Sequence, residues 1–352
     1  MSAEALELAS KWLRKCMDEH PECPSANPKY FPKRVVDVGQ DIPRLIEEPH
    51  VAVGPYVALS YCWGPDPHTQ LKTKSDNLEA HKQRIPLSTM PLTLKHAIHV
   101  TRQLGFQYLW IDALCIIQDS TLDWEEQAAR MQDIYEGAAI TIAADAGSNS
   151  AAAEDHATLR NGNSILQARA WAFQEQMLSK RVLHFGEFEM GWECAICTRC
   201  ECGADNWTNS GSNKKYGTYQ KRSTYKSSDT LSWNWIRAIQ NYSKRALTVP
   251  SDRLPALSGL ASRAAHAHSA TYLAGLWTED LALGLLWRRS DGGVGTRPAE
   301  YIAPSWSWAS IQGAGVDWGL GLSARSWVTF DLQDVSCTPR TAENPFGAVT
   351  DG

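Results

Sequence analysis

YVALSYCWG, Tyr56–Gly64, is an apolar run of strand length bounded by Gly54-Pro55 before it and Gly64-Pro65 after it. Continuous apolar character without alternation predicts a strand buried on both faces, the kind found in parallel sheets with helices on either side. Two similar runs follow, YLWIDALCII (Tyr108–Ile117) and AAITIAAD (Ala138–Asp145). Between the first and second lies PLTLKHAIHVTRQLG, with Leu94, Ala97, Ile98, Thr101 and Leu104 on one helical face and Gly105 as the stop. Between the second and third, Asp123 is read as the cap of a helix through WEEQAARMQDIYEGA. Strand, helix, strand, helix, strand, with crossovers of this length, predicts right-handed βαβ units and a doubly wound parallel sheet. Ligands of such sheets bind beyond the carboxyl ends of the strands. Those ends carry Ser60, Tyr61, Cys62 and Trp63, then Asp112 and Cys115, then Asp145.

Outward from this core, residues 4–19 place Leu6, Ala9, Trp12, Leu13 and Cys16 at helical spacing, and a short strand is expected around Arg34–Val38. Ala146–Ser164 is rich in Gly, Ser, Asn and Ala and reads as flexible. RAWAFQEQMLSKR resumes a helix, Asn206–Ser232 reads as a polar loop, and LSWNWIRAIQNYSKRAL is helical again. The domain boundaries drawn on this basis are an N-terminal helix and lead-in strand at 1–50, a core at 51–203 and a Trp-rich region at 204–352 packing on the core.

The 352 residues carry a net charge of −5 without a long Lys/Arg run, which argues against nucleic acid as the main partner. Charges interrupt each apolar window near the start, and no apolar stretch nears the roughly 20 residues a bilayer needs. The expectation is a cytoplasmic protein with no membrane partner. Nine cysteines cannot all pair, and without a secretory leader they read as reduced thiols. Cys194-x2-Cys197-x2-Cys200-x-Cys202 and Cys16-x3-His20-x2-Cys23 are two metal-ligand sets, the second with Cys16 and His20 on one helix face. A structural zinc joining the sets stands against reduced thiols in a loop and in the core, and no metal is assigned. The 15 Trp are read mainly as packing. GxSxG, P-loop and GxGxxG patterns are absent, which removes the sequence warrant for three common enzyme classes.

YVALSYCWG, the PLTLKHAI helix, YLWIDALCIIQD, DWEEQAARMQDIYEGA and ITIAAD together resemble the fungal heterokaryon-incompatibility (HET) domain. RAWAFQEQMLSKRVLHF, RALTVPSDRLPALSGLA and APSWSWAS are similar to companion blocks of the same family. HET domains trigger cell death when unlike hyphae fuse, and they have been considered distant relatives of TIR domains, several of which hydrolyse NAD. The resemblance implies a TIR/flavodoxin-like parallel sheet flanked by helices, with a Trp-rich C-terminal α+β extension. It implies a cell-death effector that hydrolyses NAD to nicotinamide and ADP-ribose, with NAD as substrate, no required cofactor and a homo-oligomeric state. The alternatives are a non-catalytic self-associating death-signalling module and a hydrolase or cyclase acting on another nucleotide.

By the same resemblance Ser60 takes the place of the serine ending the first TIR strand. Trp171 and Glu175 repeat the TIR pattern of Trp and then Glu four positions on, which share a helix face. Glu175 is then the catalytic carboxylate, facing positive charge as the nicotinamide–ribose bond breaks, against the alternative of a surface pairing with Arg169 or Lys180. Trp63, Tyr61 or Trp171 would stack on a ring, Ser60 and Arg169 would bind ribose or phosphate, and Asp112 would contact ribose or orient a loop. Gly64 and Cys115 complete the substrate-binding set, although a cysteine in an apolar run is more often a small core residue.

Overall fold

Strand β3 (Tyr56–Ser60) lies at the centre of an eight-stranded sheet in a computed structural model that describes residues 2–23, 30–47, 54–64, 70–145, 164–186, 189–203, 231–290, 295–319 and 333–352. The stretches expected to be loops at 146–164 and 206–232 lie almost wholly outside the described residues. The chain divides into two units, one made of 1–167 with 178–218, the other of 168–177 with 219–352. The N-terminal helix and lead-in strand thus belong with the core, whereas the segment holding Trp171 and Glu175 belongs to the second unit.

In the first unit the other elements are α1 (Ala3–Glu19), β1 (Arg34–Asp37), β2 (Arg44–Glu47), α2 (Leu78–Gln83), α3 (Leu92–Gln103), β4 (Tyr108–Trp110), α4 (Asp112–Cys115), α5 (Thr121–Gly137) and β5 (Ile140–Ala144), then β6 (Arg181–Phe185), β7 (Met190–Cys194) and β8 (Thr198–Cys200). The sheet order is β2-β1-β4-β3-β5-β6-β7-β8. β4, β3, β5 and β6 run parallel, while β1, β2, β7 and β8 pair antiparallel at the two sides. The sheet is therefore mixed, which corrects the expectation of a parallel one: RVLHF and MGWEC are joined too closely for a crossover and can only form a hairpin.

The connections dictate this order. The chain leaves β3 through α3 to reach β4 on one side, then returns through α5 to β5 on the other, so the strand order reverses between β3 and β5. Val57, Ala58, Leu59, Leu109, Trp110, Ile140, Ile142, Val182 and Leu183 are all buried, as strands covered on both faces require. Pairing fixes which residues share a face: Ala58 lies beside Trp110 and Thr141, and Ser60 beside Ala143, which lies beside His184. α5 covers that face. The Tyr56 hydroxyl donates to the Ile134 carbonyl at 2.5 Å, Tyr135 donates to the Leu59 carbonyl at 3.2 Å, and the Trp110 and Tyr135 rings meet edge to face.

The helices follow their sequence signals with two differences. α1 is capped by Ser2, whose hydroxyl accepts from the Ala5 N–H, and buries Leu6, Ala9, Trp12, Leu13 and Cys16. α3 ends before Gly105, whose φ of +82° suits a residue without Cβ. α5 starts earlier than expected, on Ser120, which accepts from the Asp123 N–H. Asp123 is freed from capping and instead accepts from the Ile117 N–H and pairs with the buried Arg34 guanidinium. The second difference is in the WIDALCII run. The strand stops at Trp110 and Asp112–Cys115 makes one helical turn. A short apolar run does not distinguish a buried strand from a buried turn of helix.

The second unit contains α6 (Ala170–Leu178, whose last residue falls in the first unit), α7 (Leu231–Tyr242), α8 (Ser258–His268) and three two-stranded β pieces. Its centre is aromatic: Trp235, Tyr242, Trp277 and Trp308 are buried. The Gly275 carbonyl accepts from both the Trp235 and Trp308 indoles, at 2.7 and 2.9 Å. These tryptophans are packing residues, as their dispersal in the sequence suggested. No helix among the described residues is long and apolar enough to cross a membrane.

Candidate functional site

The strand ends of the first unit collect Ser60, Tyr61, Trp63, Gly64 and Asp112 from among the groups named from the sequence. Ser60 is buried at the end of β3, and Tyr61 is buried just beyond it. Trp63 follows, and Gly64 turns the chain with φ +87°, a backbone state that side chains disfavour. The Trp63 indole donates to Asp112 Oδ2 at 2.9 Å, its carbonyl accepts from the Gln70 amide, and the Lys72 ammonium sits 4.7 Å from the ring centroid. Asp112 opens α4, with Oδ1 accepting from the Ala113 N–H at 2.6 Å and its carbonyl accepting from Gln118. Trp63 and Asp112 therefore form one piece of wall across the ends of β3 and β4.

Cys115 is of another kind. It is fully buried in α4, its sulfur accepts from the Ile111 N–H at 3.4 Å, and its carbonyl accepts from Arg34. Burial pushes its thiol up to about 12, so it is a packing residue and not a nucleophile at neutral pH.

On the other side of the strand-order reversal stands a charged group of which the sequence reading named only Asp145. Asp145 follows β5 and accepts from Ser164 Oγ at 2.7 Å through Oδ1. Its Oδ2 meets His184 Nδ1 on β6 at 2.7 Å, and His184 Nε2 lies 3.6 Å from Glu193 on β7. Burial opposes a charge on His184, but the two carboxylates outweigh it and raise the imidazole to about 9, so it is protonated at neutral pH. The sequence reading did not assign RVLHF as a strand, and it is the fourth residue of that strand, His184, that lies at the level of Ser60. Spacing within the sequence does not reveal that pairing. Ser164 bonds to the carboxylate and not to the imidazole, so the order of a Ser–His–Asp nucleophile is not formed.

Arg169, Trp171 and Glu175 fall in the second unit. Arg169 forms a β-bridge with Ala246, and its carbonyl accepts from Arg245. The Trp171 indole donates to Asp252 Oδ2 at 3.0 Å, and burial pushes the Asp252 carboxyl upward against that hydrogen bond. Glu175 lies on α6 with only 5% of its surface exposed. Next to it, the Gln174 side-chain carbonyl accepts from the Gly259 N–H at the start of α8.

The two cysteine sets meet in part. The donor atoms of Cys16, His20, Cys23 and Cys194 all lie within 4.8 Å of one another. Cys197 stays beside Cys194, at 3.7 Å between sulfurs. Cys200 turns to Glu189 at 2.8 Å, in a separate group with the exposed Cys202. Hydrogen bonds from Cys16, Cys197 and Cys23 hold the Cys194 thiol far below its ordinary range.

The fold and its strand ends define an α/β protein with a doubly covered mixed sheet and a polar site where the strand order turns. Residues 56–179 match the family described as Heterokaryon incompatibility protein (HET), so this stretch is a HET domain. The match begins on the first residue of β3. The chain is also 36% identical over 88 residues to "Heterokaryon incompatibility protein 6, OR allele" of Neurospora crassa, a stretch amounting to 24% of this chain and 13% of that relative. No solved structure matches the chain.

Proposed function

We propose that this protein is a cell-death effector of heterokaryon incompatibility whose HET domain hydrolyses NAD to nicotinamide and ADP-ribose. The carrying observation is the reversal of strand order between β3 and β5, with Ser60, Trp63 and Asp112 at the strand ends on one side and Asp145 with His184 on the other. The four parallel strands follow the second-first-third-fourth order with which flavodoxin-like sheets begin, in keeping with a TIR-like ancestry.

Nicotinamide leaves as a neutral group, so cleavage needs no strong general acid. It needs a carboxylate near the oxocarbenium-like ribose and donors for its hydroxyls and phosphates. The resemblance gives this role to Glu175, through the Trp171–Glu175 spacing in the second unit, whereas the strand ends of the first unit offer Asp112 and Asp145 as carboxylates. Within the first unit, Ser60 and Asp112 offer hydrogen bonds, Trp63 an aromatic face, and protonated His184 a positive charge.

Incubating the purified chain with NAD and measuring nicotinamide release tests the reading, at several protein concentrations so that self-association is sampled. The expected result is turnover that falls about 100-fold or more in Glu175→Gln. Absence of turnover at every concentration overturns the enzymatic reading and leaves a self-associating signalling module. Turnover retained in Glu175→Gln overturns that residue's role and directs the search to Asp112.

A further inference from the structure

Cys16 and His20 stand one turn apart at the end of α1, and a tight turn closed by the Cys23 N–H on the His20 carbonyl at 2.9 Å brings Cys23 back to them. The fourth group comes from far along the chain. Cys194 ends β7, beside which α1 packs. Cys16, Cys23 and Cys194 are essentially buried, at 1%, 2% and 0% exposure, yet their sulfurs converge on one another and on an imidazole. A core built only for packing has no reason to gather four soft donors at one point.

We infer that Cys16, His20, Cys23 and Cys194 bind one zinc ion that fastens the N-terminal helix to the sheet. A tetrahedral zinc with Zn–S of about 2.3 Å and Zn–N of about 2.0 Å has donor–donor edges of about 3.5–3.8 Å. The Cys194 Sγ to His20 Nδ1 distance is 3.5 Å, and the remaining pairs lie within 4.8 Å, so a small inward movement of side chains closes the shell. A set this tight encloses one ion and leaves no room for a bridged iron–sulfur core. Four protein donors also leave no open position, which makes the site structural and not hydrolytic.

The surroundings suit that ion. Arg181, buried at 1% exposure, donates from Nε to Cys16 Sγ at 3.2 Å. Its other nitrogens are anchored on the Ala139 and Cys23 carbonyls. Three thiolates, a neutral imidazole and a dication sum to one negative charge, which the guanidinium neutralises. The Cys197 N–H points to Cys194 Sγ at 3.4 Å, the amide-to-sulfur contact that stabilises a bound thiolate. Cys197 itself lies outside the four-donor set, and the Glu189, Cys200 and Cys202 group is a separate, partly exposed one.

The full chain, purified reduced and without chelator, is expected to contain about one zinc per chain by elemental analysis. Cys194→Ser and His20→Ala are expected to lower the content to below about 0.2, while a Cys200→Ser/Cys202→Ser double variant keeps it. Should the first two variants not fold, cobalt substitution of the unaltered chain decides. Tetrahedral d–d bands with sulfur-to-cobalt charge transfer, and protection of three thiols from a colorimetric reagent until chelator is added, support the site. A folded, reduced chain that neither carries nor takes up zinc or cobalt overturns the proposal. Metal lost in the Cys200→Ser/Cys202→Ser variant but kept in Cys194→Ser also overturns it. None of these readouts depends on NAD turnover.

Discussion

Trp63 and Asp112 are joined by an indole-to-carboxylate hydrogen bond of 2.9 Å that ties the end of β3 to the end of β4. The residues are 49 positions apart, and each is otherwise held by its own loop: Gln70 on the Trp63 carbonyl, the Ala113 N–H on the Asp112 carboxylate. The bond fixes the ring's orientation, and a fixed ring is what a stacking surface for a nucleotide requires. Trp63→Phe keeps the aromatic face and removes the N–H. In the NAD reading its KM rises about 5-fold with kcat little changed, the pattern of a positioning loss. Steady-state kinetics on the two proteins checks this, and an unchanged KM would remove Trp63 from the binding wall.

Arg34 is the buried knot of the first unit. Its guanidinium spans the Cys115 carbonyl, Glu47 and Asp123, tying strand β1 to its edge neighbour β2, to α4 and to α5. Removing one partner of a buried pair leaves an uncompensated charge, so Asp123→Ala is expected to destabilise by about 3 kcal/mol. A double change, Arg34→Met with Asp123→Leu, removes both charges and is expected to recover much of that loss. Urea unfolding of the three proteins measures both effects.

The pH dependence follows from His184. Its folded value of about 9 lies above the 6.5 of a free imidazole, so the native state binds the proton more tightly than the unfolded chain does. The stabilisation is complete below about pH 6.5 and is lost as pH rises through 9. Asp145 and Glu193 are the carboxylates that supply it. Unfolding midpoints between pH 6 and 10 are expected to fall more steeply for the unaltered chain than for His184→Gln. Parallel curves would mean that His184 is not held in its charged form.

Much of this architecture was legible in the residues, and the illegible parts share a cause. YVALSYCWG and ITIAAD read as buried strands because their apolar runs are bounded by turn residues, and both are strands. The α3 helix was equally plain, with its Gly105 stop. WIDALCII misled because apolar character is the same in a buried strand and a buried helical turn, and Asp112 decides between them only in three dimensions. The site was half visible. Ser60, Trp63 and Asp112 are end-of-strand residues in their own runs, whereas His184 earns attention only once β6 pairs beside β5. The cysteines behave likewise. Helical spacing joined Cys16 to His20, but choosing Cys194 over Cys197, Cys200 and Cys202 required knowing where β7 ends.

Gly275 carries the aromatic centre of the second unit. Its φ is +98°, and a Cβ built on it would come within 2.5 Å of the Trp308 indole nitrogen. Its carbonyl is also the shared acceptor for Trp308 and Trp235. Gly275→Ala therefore combines a disfavoured backbone state, a clash with a side chain that cannot retreat in a buried packing, and the disturbance of two indole hydrogen bonds. The expected cost is about 2–4 kcal/mol, well above the fraction of a kcal/mol typical of a surface change. Gly203 is the matched control: its φ is +82° with nothing within 4 Å of the added atom, so Gly203→Ala pays only the backbone strain, about 1 kcal/mol. Thermal unfolding of both variants separates the contributions, because equal losses would mean that backbone strain alone, and not the approach to Trp308, sets the requirement for glycine at 275.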